Sequence, residues 1–306
     1  MNRTAGFLIV ALSGVCFGAL GLFGRLAYAA GTDVPTLLFL RFTGAGVVLG
    51  SAMVVTRQSL PRGRLLFNLI LLGAVGYVSE AGVYFTALKY APAGLVALLL
   101  YSFPALVALL QVFVFRERLG RLKWVAVVLA LCGTALTADL RQGEVTPLGV
   151  FLGVLSAVIY ALYVVLSARA AGKAGPLASS TVILFSAGLT FGLAVLVRGP
   201  SFPTTTLGWG AVVGLAFIST VVAVLLFFVG MARIGPVNTS LVSNMEPLTA
   251  VVLSVLFLDE RLSLRQVLGG ALILGAAVLL ARSDMPGASL GAAEPAKSEE
   301  TAPGAG

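Results

Sequence analysis

Ten apolar runs of about membrane-crossing length follow one another along this chain, and they limit it to one kind of solvent. A bilayer core is crossed by about 20 apolar residues of helix. Reading between charges and Pro/Gly breaks gives such runs at roughly 7–29, 34–56, 66–88, 93–115, 121–139, 147–169, 177–197, 207–231, 236–258 and 264–282. The connections are short, so sequential helices run antiparallel. Charged residues are 10% of the chain and hydrophobic ones 59%, and the mean hydropathy is +1.05. A soluble domain is about a quarter charged; so few charges cannot clothe a water-facing surface of this size. The expected fold class is an all-α membrane protein with ten transmembrane helices.

What the chain lacks removes other functions. The formal charge of +8 would suit a nucleic-acid partner, but Lys and Arg stand in short loops between apolar runs, where they set topology. No nucleic-acid partner is expected. The chain has no His, which excludes His-based metal sites and Ser-His or Cys-His nucleophile pairs. Cys16 and Cys132 lie inside apolar runs, match no metal spacing and read as small packing residues. No metal, cofactor or catalytic set is expected, which weighs against a membrane-embedded enzyme. A passive channel would more naturally show rings of like charge or a repeated filter.

Residues 283–306 are rich in Ala, Gly, Pro, Glu and Ser and cannot bury a core, so a disordered tail is expected there. The first run, with Asn2-Arg3 before it and Ala27-Tyr28-Ala29 near its end, imitates a secretory signal with its cleavage site. It is longer than the apolar part of such a signal, and an internal repeat claims it. It is therefore expected to remain as a helix of the mature protein.

That repeat is the most informative pattern. A shift of 143 positions places Gly6 on Gly149, Leu12 on Leu155, Ser13 on Ser156, Val15 on Val158 and Phe17 on Tyr160. The same shift places Phe85 on Phe228, Pro104 on Pro247 and Glu117-Arg118-Leu119 on Glu260-Arg261-Leu262. One register holding from the first helix of each half to the last argues for duplication, with halves at 6–140 and 147–282. Five helices is an odd number, so the second half must enter the membrane in the opposite sense, as an inverted repeat. With the N-terminus inside, 13 Lys and Arg fall on the cytoplasmic side and 6 on the other, with Arg41 left inside a helix. The positive-inside bias places both termini in the cytoplasm of a cell-membrane protein.

Short stretches at the ends of the halves carry a resemblance. Ala87-Leu88-Lys89-Tyr90-Ala91-Pro92-Ala93-Gly94, Phe115-Arg116-Glu117-Arg118-Leu119 and Leu40-Arg41-Phe42 belong to the first half. Met245-Glu246-Pro247-Leu248-Thr249-Ala250, and Leu258-Asp259-Glu260-Arg261-Leu262-Ser263 running on to Gln266 and Gly269, belong to the second. Together the chain resembles the EamA family of the drug/metabolite transporter superfamily over residues 6–282. The first half departs from the family pattern at Arg116, where a Gly usually precedes the Glu. The resemblance implies alternating-access export of small polar metabolites, most often amino acids or related compounds, with a drug or nucleotide-sugar type exporter as the alternative. It also implies a central cavity lined mainly by helices 1, 3, 4, 6, 8 and 9. The partners expected are a small-molecule substrate, membrane lipid and protons as the candidate coupling ion, for a monomer or homodimer.

Ionisable groups at membrane depth are expensive, and three lie well inside the apolar runs: Arg41, Glu80 and Glu246. At about 1.5 Å rise per residue, Arg41 and Glu80 both lie roughly 10–12 Å below the outer boundary on adjacent helices. Two readings stand: a structural pair pinning helix 2 to helix 3, or groups facing a cavity to hold a charged substrate. Glu246 lies near the middle of helix 9 and precedes Pro247, which cannot donate to the carbonyl of Ser243 and is expected to kink the helix. Pro104 stands at the equivalent position of helix 4. A carboxylate there can bind an amine or carry a proton. Ser13 with Ser156 and Phe17 with Tyr160 keep their character in both copies; Tyr77, Tyr84, Tyr101, Ser102, Tyr163 and Asn244 are further substrate-binding candidates of low specificity. Gly14 and Gly18, a Gly-x-x-x-Gly pair, are expected to allow close helix packing.

Overall fold

Backbone groups have no water to pair with in hydrocarbon, so a chain this apolar has to satisfy them within its own segments. The computed structural model does so with helices. It describes residues 3–87, 90–91, 96, 99–116, 119–137, 146–258 and 264–283, and no strand occurs among them. α1 (Arg3–Gly18) and α2 (Leu20–Ala29) form one rod interrupted at Ala19. α3 (Val34–Val55) starts at Asp33, whose side chain accepts from the Thr36 N–H at 3.1 Å, with Pro35 in the first turn; both are helix-starting devices. α4 (Arg64–Leu71) passes through a π-helical segment, Leu72–Tyr77, into α5 (Val78–Ala87). α6 (Phe103–Phe113) and α7 (Arg121–Thr137) complete the first half.

The second half begins with α8 (Pro147–Ala174), capped by the Thr146 hydroxyl on the Gly149 N–H. Gly175, at φ 81°, turns the chain into α9 (Pro176–Arg198). α10 (Thr206–Ala216) passes through a second π-helical segment, Phe217–Val222, into α11 (Ala223–Val242). α12 (Met245–Leu258) and α13 (Leu264–Ser283) follow.

Among the described residues, six segments are long and apolar enough to cross a membrane: Arg3–Ala29, Val34–Val55, Arg64–Tyr84, Pro147–Ala174, Pro176–Arg198 and Thr206–Val242. Phe103–Phe113 and Val267–Leu279 are shorter apolar helices. The boundary expected between 231 and 236 is present: Gly235, at φ 79° and ψ 169°, leaves the helical conformation and Pro236 follows it, so α11 is two helices joined at a kink. A further interruption comes at Ser243-Asn244. Much of the 88–94 motif, Glu117 and Arg118, the Asp259–Ser263 motif and the tail beyond Ser283 lie outside the described residues.

Packing follows from small residues. α3 packs along α9, α7 along α13, α1 along α11, and α5 along α8. A Cβ on Gly46 would stand 2.9 Å from the Phe185 ring, and one on Gly188 would stand 2.6 Å from the Thr43 hydroxyl. Without Cβ atoms the backbones approach closely, the usual basis of association in lipid. Large apolar side chains point outward instead, with Val55 82% and Val197 87% exposed. That arrangement suits acyl chains and not water.

The loops gather at two ends. At one, the Thr204 hydroxyl donates to the Ala30 carbonyl at 2.9 Å, the Ser201 N–H to the Thr36 hydroxyl at 3.0 Å, and the Thr146 hydroxyl to the Tyr90 carbonyl at 2.7 Å. At the other, the Arg169 guanidinium lies 3.6 Å over the Phe115 ring. Antiparallel crossing of successive helices requires this grouping.

Candidate functional site

Two broken helices frame the site. Tyr101-Ser102 and Ser243-Asn244 are turns, and a helix restarts after each, at Phe103 and Met245. Pro104 and Pro247 therefore sit in the first turn of a new helix, where a missing N–H costs nothing. Helical hydrogen bonding is interrupted ahead of each proline, while Ser102 (φ −75°, ψ −9°) and Ser243 (φ −61°, ψ −16°) keep right-handed helical dihedrals. Around the second break the Ser243 N–H donates to the Thr239 carbonyl at 2.9 Å and the Glu246 N–H to the Ser243 carbonyl at 2.9 Å. α1 is drawn tightly against this point. A Cβ on Gly14 would lie 2.9 Å from Cβ of Met245, and one on Gly18 2.5 Å from Cβ of Thr249. The Gly-x-x-x-Gly pair thus packs as expected, and its partner is the segment that carries Glu246.

The π-helical segments supply the opposite wall. Thr220, in the second, donates to the Leu215 carbonyl five residues back at 2.8 Å and accepts the Arg41 Nε–H at 2.7 Å. Tyr77 closes the first segment and lies within hydrogen-bonding reach of Arg41. Extra residues in a helical turn redirect the side chains that follow, and such segments recur at functional sites. Arg41 is only 5% exposed, its guanidinium is 4.8 Å from the Phe42 ring centroid, and its Nη2 finds no partner among the described residues. A buried donor left unpaired costs about 1–3 kcal/mol, more when charged. Asn244, fully buried in the second break, likewise has neither carboxamide atom partnered among the described residues.

Glu246 and Tyr101 lie within hydrogen-bonding reach of each other, so the two interruptions meet through side chains. Glu80, Glu246 and Arg41 lie near enough to act on one another electrostatically, yet Arg41 and Glu80 form no ion pair within 4.0 Å: the Arg41 Nε–H is committed to Thr220. Both carboxylates are half-buried although they stand deep in the bundle. Side chains that keep surface at such depth border an internal chamber.

A row of packed aromatic rings runs through the bundle beside these groups, its Phe42, Phe103 and Tyr163 buried and its Tyr77 and Tyr160 half-buried. Phe191 stacks on Phe42 at 5.8 Å, Phe42 meets Tyr77 edge-on at 5.1 Å, and Tyr77 stacks on Tyr163 at 5.3 Å. Tyr163 stacks on Tyr160 at 6.0 Å, and Tyr160 meets Phe103 edge-on at 4.6 Å. Tyr84 lies close to Glu80 and Glu246 in charge interaction.

The other candidates are occupied with structure. The Ser13 hydroxyl donates to the Ala223 carbonyl at 2.7 Å, Ser156 to the Gly153 carbonyl at 2.8 Å, and Ser102 to the Leu99 carbonyl at 2.6 Å. Phe17 meets Phe227 edge-on at 6.4 Å, apart from the aromatic row. Sequence reading missed Phe42, Phe103, Phe191 and Thr220. The repeat register held signals for two of them: Thr220 is the counterpart of Tyr77, and Phe103 that of Glu246.

Known proteins were compared with this chain. The model of the EamA-like transporter family matches residues 4–138 and again 147–282. A protein of Archaeoglobus fulgidus named only as an uncharacterized transporter is 29% identical over 276 residues, 90% of this chain and 96% of its own. Protein PecM of Dickeya dadantii is 28% identical over 256 residues, 81% of this chain and 83% of its own. A solved crystal structure superposes with a TM-score of 0.75 over 92% of this chain and 99% of its own, at 24% identity, and so shares the fold.

Proposed function

We propose that this chain, which belongs to the EamA-like transporter family, is a secondary transporter of the cell membrane that exports small polar metabolites, amino acids or their relatives, by alternating access. One observation carries this reading. Glu80 and Glu246 keep surface deep in the bundle within electrostatic reach of Arg41, Arg41 keeps an unpaired donor, and no ion pair joins it to Glu80. A ligand with a carboxylate and an ammonium would answer both signs. Tyr77 and Tyr160, the half-buried tyrosines of the aromatic row, would meet the ligand's apolar part or a cation. Tyr101, Ser102, Tyr84 and Asn244 would shape the chamber near Glu246.

The mechanical part rests on the two halves. Ten helices in inverted five-helix repeats, with both termini in the cytoplasm, agree with the packing of equivalent elements on each other: α3 on α9 and α7 on α13, with α1 on α11 answered by α5 on α8. Discontinuous helices at the repeat interface are a common way to hold a solute at the midplane, and binding there would bias the inward- and outward-facing states through differential contacts. The test is flux into proteoliposomes of the purified protein against a panel of labelled amino acids and metabolites. Saturable movement of a zwitterion supports the reading. Flux linear in driving force would indicate a channel, and saturable movement of uncharged solutes or nucleotide sugars alone would overturn the substrate class.

A further inference from the structure

A second cavity, of about 560 Å³, opens on the outer face of the bundle where α3, α4 and α9 diverge. That volume falls in the range of about 300–1,000 Å³ that holds compact apolar ligands. Gly46 and Gly50 line its floor, Gly50 with room above it, and its walls are Val54, Ile70, Phe185 and Leu189. Val54 is 78% and Leu189 56% exposed, so the groove faces the surrounding hydrocarbon. None of the three chamber charges lines it.

One end of the groove is polar. Gln58 lines it there, beside a loop with exposed Arg57, Arg62 and Arg64. The loop's start is fixed by backbone: Arg57 is held at φ 53°, its N–H donating to the Val54 carbonyl at 3.1 Å while the Gln58 N–H donates to Met53 at 2.9 Å. The loop has no acidic residue between Thr56 and Arg64 to offset the three guanidiniums.

We propose that this groove is a binding site for an anionic phospholipid, one acyl chain lying along Gly46 and Gly50 and the phosphate held by Arg57, Arg62 and Arg64. Guanidinium matches phosphate in bidentate geometry, and basic loops directly beyond a membrane helix gather anionic lipid. A second copy of the chain fits less well. A two-fold axis along the membrane normal sets a patch against itself, and here that would bring each arginine loop toward its own image.

The experiment uses the full chain purified in detergent and stripped of lipid, with bound mass by native mass spectrometry and melting temperature read together. The probes are phosphatidylglycerol, phosphatidylcholine and inorganic phosphate. Phosphatidylglycerol is expected to bind tightly and raise the melting temperature, phosphatidylcholine to do so weakly, and phosphate to do neither. The triple variant R57Q/R62Q/R64Q should lose roughly fivefold per arginine, about 100-fold together, for phosphatidylglycerol alone. Gly50→Leu, whose Cβ would meet Thr181 at an ordinary 3.8 Å and whose remaining carbons would enter the groove, should abolish binding of both lipids at this site while the variant still binds detergent as a folded monomer of wild-type melting temperature. Wild-type phosphatidylglycerol binding in either variant overturns the proposal. So does an equal response to phosphate, or a dimer cross-linked through Val47→Cys. Because the readouts are lipid binding and melting, the outcome does not depend on what is transported.

Discussion

The two halves of the molecule differ in a way that separates machinery from chemistry. In the 143-residue register the backbone devices recur. A break at Tyr101-Ser102 precedes Pro104, and one at Ser243-Asn244 precedes Pro247. A π-helical segment at Leu72–Tyr77 is answered by one at Phe217–Val222. The side chains at the site do not recur. Glu246 stands where the first half has Phe103, Asn244 where it has Tyr101, and Thr220 where it has Tyr77; Arg41 and Glu80 have Leu184 and Ala223 as counterparts. A charge at the membrane centre costs about 2.5–3.5 kcal/mol on insertion scales, so one copy that works is cheaper than two. On the proposed function, a recurring backbone would let the two halves exchange roles, and side chains that do not recur would let the site orient a ligand.

The sharpest way to break this comparison is to neutralise the charge that only one half has. Glu246→Gln keeps the shape and is expected to reduce transport roughly 10- to 100-fold, the loss of one charge-assisted contact, with an unchanged melting temperature. If Glu246 also carries the coupling proton, the residual flux loses its dependence on pH. Phe103→Leu at the equivalent position should cost less than tenfold. Equal losses at both positions would mean that the halves share the chemistry as well as the geometry.

A test of the machinery comes next. Gly73 lies in the first π-helical segment, and a Cβ there would fall 2.1 Å from both the Ile183 carbonyl and the Ser186 hydroxyl. Its counterpart in the second half is Ala216, which already carries a methyl. Gly73→Ala is expected to destabilise by about 1–3 kcal/mol through overpacking. Gly44→Ala, whose Cβ would meet Ala216 at an ordinary 3.7 Å, should change the melting temperature little. Tolerance at Gly73 would show that the α9 contact there is loose.

A smaller effect is expected where the halves touch. Tyr101→Phe removes the hydroxyl within hydrogen-bonding reach of Glu246. One hydrogen bond is worth about 0.5–1.5 kcal/mol, so transport should fall roughly two- to tenfold, by weaker apparent affinity. Tyr90→Phe, on a residue at the loop end, serves as the control with no change.

The helical class and the placing of Glu246, Arg41 and Glu80 inside the bundle were legible in the sequence because hydrocarbon penalises polar groups so heavily that any exception stands out. The breaks were half-legible. Pro247 signalled disturbance, but a kink and a restart differ only in where the preceding carbonyls find donors, which depends on Ser243 and Asn244 in three dimensions. The bond from Arg41 to Thr220 was hidden, since it joins residues 179 positions apart through a π-helical turn that no local pattern marks. Phe42, Phe103 and Phe191 were hidden for another reason: among 18 phenylalanines, apolar composition cannot tell a ring facing lipid from one packed inside the bundle beside Tyr77 and Tyr160.

The finest test concerns two serines that the repeat makes equivalent and the structure treats differently. Ser13 reaches from α1 to the Ala223 carbonyl at 2.7 Å, where the second π-helical segment passes into α11. Ser156 bonds the Gly153 carbonyl of its own helix at 2.8 Å. Both are fully buried. Removing Ser13's hydroxyl deletes a tie between the halves, while removing Ser156's deletes a bond that an α-helix does not need. Ser13→Ala is therefore expected to destabilise by about 1 kcal/mol, and Ser156→Ala to be near neutral, with substrate affinity unchanged in both. Melting temperatures with and without a transported substrate check this. Equal destabilisation would mean that Ser156 makes the matching tie to α5 in another state of the transport cycle. A loss of substrate affinity in Ser13→Ala would put that hydroxyl back among the groups that face the ligand.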